Sequence, residues 1–230
     1  MNKGKLYGIG IGPGDPELMT LKAVRLIAAC DLIAVPETKG EKTAALDIAR
    51  QAVPTLDEKE ILSLYMPMTR DRQKAEQNRD EVAAQILSAL EQGKTVAFLT
   101  LGDPTIYSTY LYTHQRIRQA GYEAKIIPGV PSFCAAAAAL NIGLVEGNEP
   151  LLVLPASYDG MEELLAQSGT KVLMKTGRSM VKVKEQLRAH NLYDRAQMVE
   201  NCGMDNERIY TSMDDVRDDA HYFSVIVTKS

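Results

Sequence analysis

Apolar and polar positions along this chain fall into short blocks whose period changes from one block to the next, and the blocks predict strands followed by helices. Leu6 to Ile11 is a short, partly β-branched run ending among glycines. Glu17 to Ala29 follows as a helix pattern, with Leu18, Leu21, Val24 and Ala28 at the three- and four-residue spacing of one face. Asp31 to Pro36 reads as a buried strand, Thr43 to Ala52 as a helix and Glu60 to Leu64 as a weaker strand. A polar-rich helix from Arg72 to Gln92 carries Val82, Ile86 and Leu90 at every fourth position and stops at Gly93. Thr95 to Thr100 (TVAFLT) is a buried strand, followed by a loop and a helix through Gln119. Strands alternating with helices imply a parallel sheet made of βαβ units.

Around Gly121 the pattern restarts. Glu123 to Ile127, Leu151 to Leu154, Lys171 to Lys175, Ala196 to Glu200 and Tyr222 to Thr228 read as strands, and Ser132 to Leu140, Gly160 to Ala166 and Met180 to Ala189 as helices. One large sheet and two smaller ones both satisfy this order. The joint and the shorter second-half helices favour two α/β domains of about 110 residues each. The expected boundaries are residues 1–119 and 120–230, with a mostly parallel sheet in the first domain and a mixed sheet in the second.

Composition narrows the class. With 45% hydrophobic and 24% charged residues the chain is an ordinary globular one, so disorder is not expected. Its 26 basic and 30 acidic residues give a net charge of −4, which makes nucleic acid a poor default partner. Cys30, Cys134 and Cys202 lie far apart with no CxxC pair, and His114, His190 and His221 have no ligand spacing, so neither a disulfide framework nor a metal site is expected. No segment reads as a signal-peptide core, and the most apolar stretch, Val130 to Val145, is too short and too interrupted to span a bilayer. A soluble, cytoplasmic protein is the expectation.

Three strand-to-helix loops are candidates for chemistry. The first, Gly8 to Pro16 (GIGIGPGDP), lets the backbone approach a ligand, and Asp15 with Pro16 suits the start of a helix. It does not match the dinucleotide fingerprint G-x-G-x-x-G in any register, and Pro13 removes an N–H that a pyrophosphate would want. The second, Leu101 to Tyr107 (LGDPTIY), follows the clearest strand, and ligands of open α/β sheets bind outside the carboxyl ends of strands. Asp103 with Pro104 also fits a plain helix cap. The third, Ile127 to Ser132 (IPGVPS), opens into the small-residue run Phe133 to Ala139, which suits either a ligand or a close helix-to-sheet contact.

Taken in order, GPGDP from Gly12, GDPTIY from Gly102 and PGVPS from Pro128 resemble the tetrapyrrole methylase family, enzymes that methylate corrin and porphyrin precursors with S-adenosylmethionine. The resemblance runs over essentially the whole chain, including LMKTG from Leu173 and VENCGMDNERIY from Val199. MPMTRD from Met66 and LGDPTIYSTY from Leu101 look most like the members that methylate C-20 of precorrin-2 or cobalt-factor II.

The resemblance implies two α/β domains with S-adenosylmethionine in a cleft between them, leaving S-adenosylhomocysteine as product, and a homodimer. By motif, Pro13, Leu101, Gly102, Asp103 and Ile106 take cofactor positions in the first half, Pro131 and Ser132 the family's Thr-Ser or Thr-Ala place, and Met174 and Cys202 positions against the adenine. Pro131 departs from that pattern, having neither a hydroxyl nor an N–H, so a hydrogen bond there falls to Ser132. Relatives acting on uroporphyrinogen have an Asp where this chain has Pro36, so that acid–base role does not transfer. Glu37, Asp15 and Tyr107 are then the candidates for removing a proton. A macrocycle bearing eight carboxylates calls for a basic rim, for which Lys39, Lys42, Arg70 and Arg72 are the local supply, although each also reads as a solvated surface charge. Diphthine synthases and ribosomal RNA methylases have similar loops, and a non-catalytic tetrapyrrole carrier is the alternative outside enzymes.

Overall fold

The computed structural model describes residues 3–37, 44–67, 69, 71–176, 180–220 and 223–229. It divides into two compact units, Met1–Pro131 and Ser132–Ser230. The first is built on strands β1 (Lys5–Gly10), β2 (Leu32–Glu37), β3 (Glu60–Tyr65), β4 (Thr95–Thr100) and β5 (Glu123–Ile127). They form one parallel sheet in the order β3-β2-β4-β1-β5. β4 lies inside the sheet and helices pack on both of its faces, which is why its sequence is a continuous apolar run: Val96, Ala97, Phe98 and Leu99 are all fully buried.

Alternate residues of these strands feed two separate cores. Ile9, Ile33, Ala97 and Leu99 pack with Ala23 and Ile27 of α1 (Leu21–Ala29) and Ala45 and Ala49 of α2 (Ala44–Ala52). On the other face Leu6, Leu32, Val96 and Phe98 meet Ile86 and Leu90 of α3 (Arg72–Glu91) and Tyr110 and Ile117 of α4 (Tyr110–Gln119). This is the doubly wound arrangement that alternating strands and helices predict.

The second unit contains α5 (Ser132–Ala139), β6 (Leu151–Pro155), α6 (Met161–Leu165), β7 (Thr170–Met174), α7 (Met180–Ala189), β8 (Ala196–Glu200), β9 (Arg208–Tyr210) and β10 (Ser224–Thr228). Its sheet has the order β6-β7-β10-β8-β9. β6 and β7 are parallel, while β10 runs antiparallel to both neighbours and β9 antiparallel to β8. The mixed α/β class is as expected. α5 packs on β10 and β8, so its alanine run serves a close helix-to-sheet contact.

Three expectations change. The joint placed at Gly121 moves to Pro131, because β5 pairs in parallel with β1 and completes the first sheet. The helix expected from Glu17 is a short 3-10 turn, Pro16–Leu18, followed by α1, whose Thr20 cap accepts the Ala23 N–H at 3.1 Å. The buried face is consequently Ala23 and Ile27, and Leu21 is 89% exposed. β9, only three residues long and mostly exposed, has no signal in the sequence.

Candidate functional site

The carboxyl ends of β1, β4 and β5 lie side by side, and the loops leaving them cross at glycine. A Cβ on Gly10 would sit 2.6 Å from the Gly102 carbonyl oxygen and 2.7 Å from the Gly129 nitrogen, and one on Gly129 would fall on that same carbonyl oxygen. Gly12 and Gly102 form an antiparallel bridge in which the Gly102 N–H donates to the Gly12 carbonyl at 2.7 Å and the Gly12 N–H to the Gly102 carbonyl at 3.3 Å. The side chain of Asp103, only 8% exposed, completes the knot. Oδ1 accepts from the Thr105 N–H at 2.7 Å and the Thr105 hydroxyl at 2.5 Å, and Oδ2 accepts from the Gly129 N–H at 3.0 Å.

This geometry limits what the loops can bind. A phosphate site at such a place presents free backbone N–H groups to the anion. Here the N–H groups of Gly12, Gly102 and Gly129 are already bonded within the crossing, and Pro13 and Pro104 have none. The donor set therefore suits a ligand without phosphate, with buried Pro13 and half-buried Leu101 and Ile106 as apolar neighbours. S-adenosylmethionine is such a ligand: it carries a sulfonium, an amino acid and an adenosine but no phosphate. The residues present fit it.

The other expected residues are distributed as follows. Asp15 accepts the Glu17 N–H at 2.8 Å, capping the 3-10 turn, so the plain cap accounts for its conformation. Asp103 caps no helix, because α4 starts only at Tyr110. Tyr107 lies on the same loop, 43% exposed and in the left-handed region at φ 48°. That loop is closed behind it by a contact of 3.0 Å between the Thr100 and Ser108 hydroxyls. Glu37 ends β2, half-buried, and its carbonyl accepts the Met66 N–H at 2.9 Å. Pro131 and Ser132 are half-buried. Arg72 is exposed at the start of α3, whereas Lys39, Lys42 and Arg70 lie outside the described residues.

In the second unit Met174 ends β7 and Cys202 follows β8, and these two ends are neighbours because Met174 and Val199 both pair with Val225 of β10. Burial, reinforced by the nearby Glu207 carboxylate, pushes the Cys202 thiol up to about 12, so it is neutral at physiological pH. Two residues at this edge, Lys175 and Asn201, are left-handed without being glycine, with φ of 58° and 52°. Thr105 escaped the sequence reading. Its signal was the Asp103-x-Thr105 spacing, which closes a side-chain turn onto the backbone two residues on.

A doubly wound sheet whose loops make a phosphate-free cradle defines an α/β protein for a small polar ligand at the strand ends. The chain belongs to the tetrapyrrole (corrin/porphyrin) methylases, whose family model matches residues 5–216. It is 40% identical over 173 residues to a probable cobalt-precorrin-2 C(20)-methyltransferase of Methanocaldococcus jannaschii, covering 75% of this chain and 72% of that one. It is 33% identical to the cobalt-precorrin-2 C(20)-methyltransferase of Salmonella typhimurium, covering 97% and 95% of the two chains. Among solved structures, the cobalt precorrin-4 methyltransferase CbiF superposes with a TM-score of 0.77 at 22% identity, covering 98% of this chain and 94% of that one. The Thermus thermophilus uroporphyrin-III C-methyltransferase complexed with S-adenosylhomocysteine gives 0.71 at 18% identity, covering 99% and 98%. Both structures share the fold.

Proposed function

We propose that this protein transfers a methyl group from S-adenosylmethionine to C-20 of precorrin-2 or of its cobalt complex, a step of cobalamin biosynthesis, acting in the cytoplasm as a homodimer. The observation that carries the reading is the similarity to the Salmonella C(20)-methyltransferase along nearly the full length of both chains. The bonded-up glycine crossing supports it, since it suits a phosphate-free cofactor. No described helix is long and apolar enough to cross a membrane.

S-adenosylmethionine supplies an electrophilic methyl, and an electron-rich carbon of the macrocycle needs no strong base to attack it. The protein's work is then alignment and the exclusion of water. Pro13, Leu101, Gly102 and Ile106 supply apolar and main-chain surface for the cofactor, Ser132 a hydroxyl, and Met174 and the neutral Cys202 thiol soft contacts for the adenine. Glu37 and Asp15 are the carboxylates to receive the proton displaced from the methylated carbon, with Asp15 the less free because its carboxylate already accepts the Glu17 N–H. Tyr107 can relay that proton through its hydroxyl, giving up its own as it accepts. Arg72, with Lys39, Lys42 and Arg70, meets the substrate's carboxylates.

The test is a thermal-shift and turnover series. S-adenosylhomocysteine at one hundred times its Kd stabilises the protein by about 2.7 kcal/mol, while NAD and ATP do not. Anaerobic turnover of metal-free precorrin-2 and of cobalt-factor II then identifies the substrate. No shift with S-adenosylhomocysteine sinks the methyltransferase reading, and binding without turnover of either tetrapyrrole favours a carrier.

A further inference from the structure

Asp103 is buried, yet it faces three donors from the protein itself. Its Oδ1 holds Thr105 through both the N–H and the hydroxyl, and its Oδ2 holds the Gly129 N–H, which belongs to a different loop 26 residues further along the chain. A carboxylate offers about four acceptor positions, so three are already filled by the fold. The Gly129 backbone is also pressed against the Gly102 carbonyl with no room for a Cβ. One side chain and one backbone contact thus pin the loop after β5 to the loop after β4.

We infer that Asp103 is a positioning residue: its carboxylate clasps Thr105 to Gly129 and thereby fixes the main chain at Leu101, Gly102 and Pro131 against which the cofactor is bound. Direct contact with the cofactor is not its main task. The inference rests on the cofactor reading above, and it makes Thr105, exposed and with no assigned role, important through Asp103 alone. Gly129 lies two residues before Pro131, so the clasp sets where that segment begins. Charge-assisted hydrogen bonds to a carboxylate are the stronger kind, and they hold a loop without a rigid covalent link.

Two variants separate the clasp from a direct contact. Thr105→Val deletes a donor to Asp103 but leaves the carboxylate intact, so a carboxylate that simply touches ligand binds as before. The clasp predicts that Thr105→Val weakens S-adenosylhomocysteine binding about fivefold, with the thermal midpoint of the ligand-free protein lowered by only about 2–4 °C, and that Thr105→Ser restores wild-type affinity. Asp103→Asn has one acceptor oxygen where three bonds converge. It is expected to lose at least tenfold in affinity and, without any ligand, to exchange the Gly129 amide proton at least tenfold faster, while amides of the second sheet keep their rates. Wild-type affinity in Thr105→Val, or an unchanged Gly129 exchange rate in Asp103→Asn, overturns the inference. If the wild-type protein fails to bind S-adenosylhomocysteine, the functional reading fails instead, and the ligand-free exchange measurement still decides whether the clasp exists.

Discussion

The two sheets of this protein end their strands in opposite ways. In the first unit the loops after β1, β4 and β5 are made of backbone meeting backbone, with glycines where the chains cross and one carboxylate tying them. In the second, the turns after β7 and β8 place Lys175 and Asn201, residues with side chains, in the left-handed region that glycine enters freely. The first is built by leaving side chains out, and it tolerates almost no addition. In the second unit Gly169 is crowded in this way, since its Cβ would meet Pro150, while Gly143 stands in nearly open space.

The sharpest way to break that contrast is to add one methyl group to each unit. Gly129→Ala puts a Cβ onto the Gly102 carbonyl oxygen and within 2.9 Å of Gly10 Cα, where only backbone can move. A loss of about 3 kcal/mol or more is expected, at or beyond the usual range for overpacking. Gly143→Ala in the second unit meets nothing nearer than the Val145 carbonyl oxygen at 3.9 Å and changes stability by less than about 0.5 kcal/mol. Urea unfolding of both variants checks the pair; similar losses would remove the distinction.

A smaller effect separates the left-handed residues. Tyr107 in the first unit pays for φ 48° at a residue type that seldom adopts it. The penalty is roughly 1–2 kcal/mol, and the extra freedom of glycine in the unfolded chain takes back about 0.5–1 kcal/mol. Tyr107→Gly is therefore expected to alter stability by under about 1 kcal/mol yet lower kcat/KM for the tetrapyrrole about tenfold, as befits an exposed aromatic beside the cradle. Asn201→Gly, its second-unit counterpart, is expected to destabilise by about 0.5–1 kcal/mol, because asparagine tolerates this conformation and little strain is relieved to offset the freedom glycine adds to the unfolded chain. Unchanged turnover in Tyr107→Gly removes Tyr107 from the candidates.

Much of this was legible in the sequence, for reasons that differ by element. β4 and β5 match their expected limits, Thr95–Thr100 and Glu123–Ile127, since each is a strand run bounded by turn residues. α1 departs from its pattern because Leu18 and Leu21 mimic a helix face, while the Thr20 cap starts the helix later and turns Ala23 and Ile27 inward. The three motif loops are where the glycine crossing forms. What they did not announce is the partner of Asp103, because a hydrogen bond to Gly129 depends on β5 joining the first sheet, and the apparent restart at Gly121 pointed the other way.

The smallest effect concerns two threonines, one in each sheet. At the start of β4 the Thr95 hydroxyl donates to Asp31 Oδ2 at 2.6 Å, and the Thr95 N–H donates to the same oxygen at 2.8 Å. These bonds hold the Asp31 carboxyl below its usual range. A carboxylate with a lowered folded pKa contributes stability above its unfolded pKa and loses that contribution as the pH falls through the folded value. At the start of β7 the Thr170 hydroxyl is fully buried and has no hydrogen-bond partner among the described residues. Valine keeps the branched shape in both strands and removes only the hydroxyl. Thr95→Val is thus expected to cost about 0.5–1 kcal/mol at pH 7, a modest figure because Asp31 is exposed to solvent screening. That cost shrinks as the pH falls below about 4 and Asp31 takes up its proton. Thr170→Val removes a buried, unbonded polar atom and is expected to be neutral or stabilising by up to about 1 kcal/mol at either pH. Urea midpoints at pH 7 and pH 3 read both expectations. The Thr95 hydroxyl also accepts the Asp31 N–H at 3.2 Å, so part of the cost remains in acid, and a cost that persists unchanged would assign all of it to that backbone bond rather than to the carboxylate.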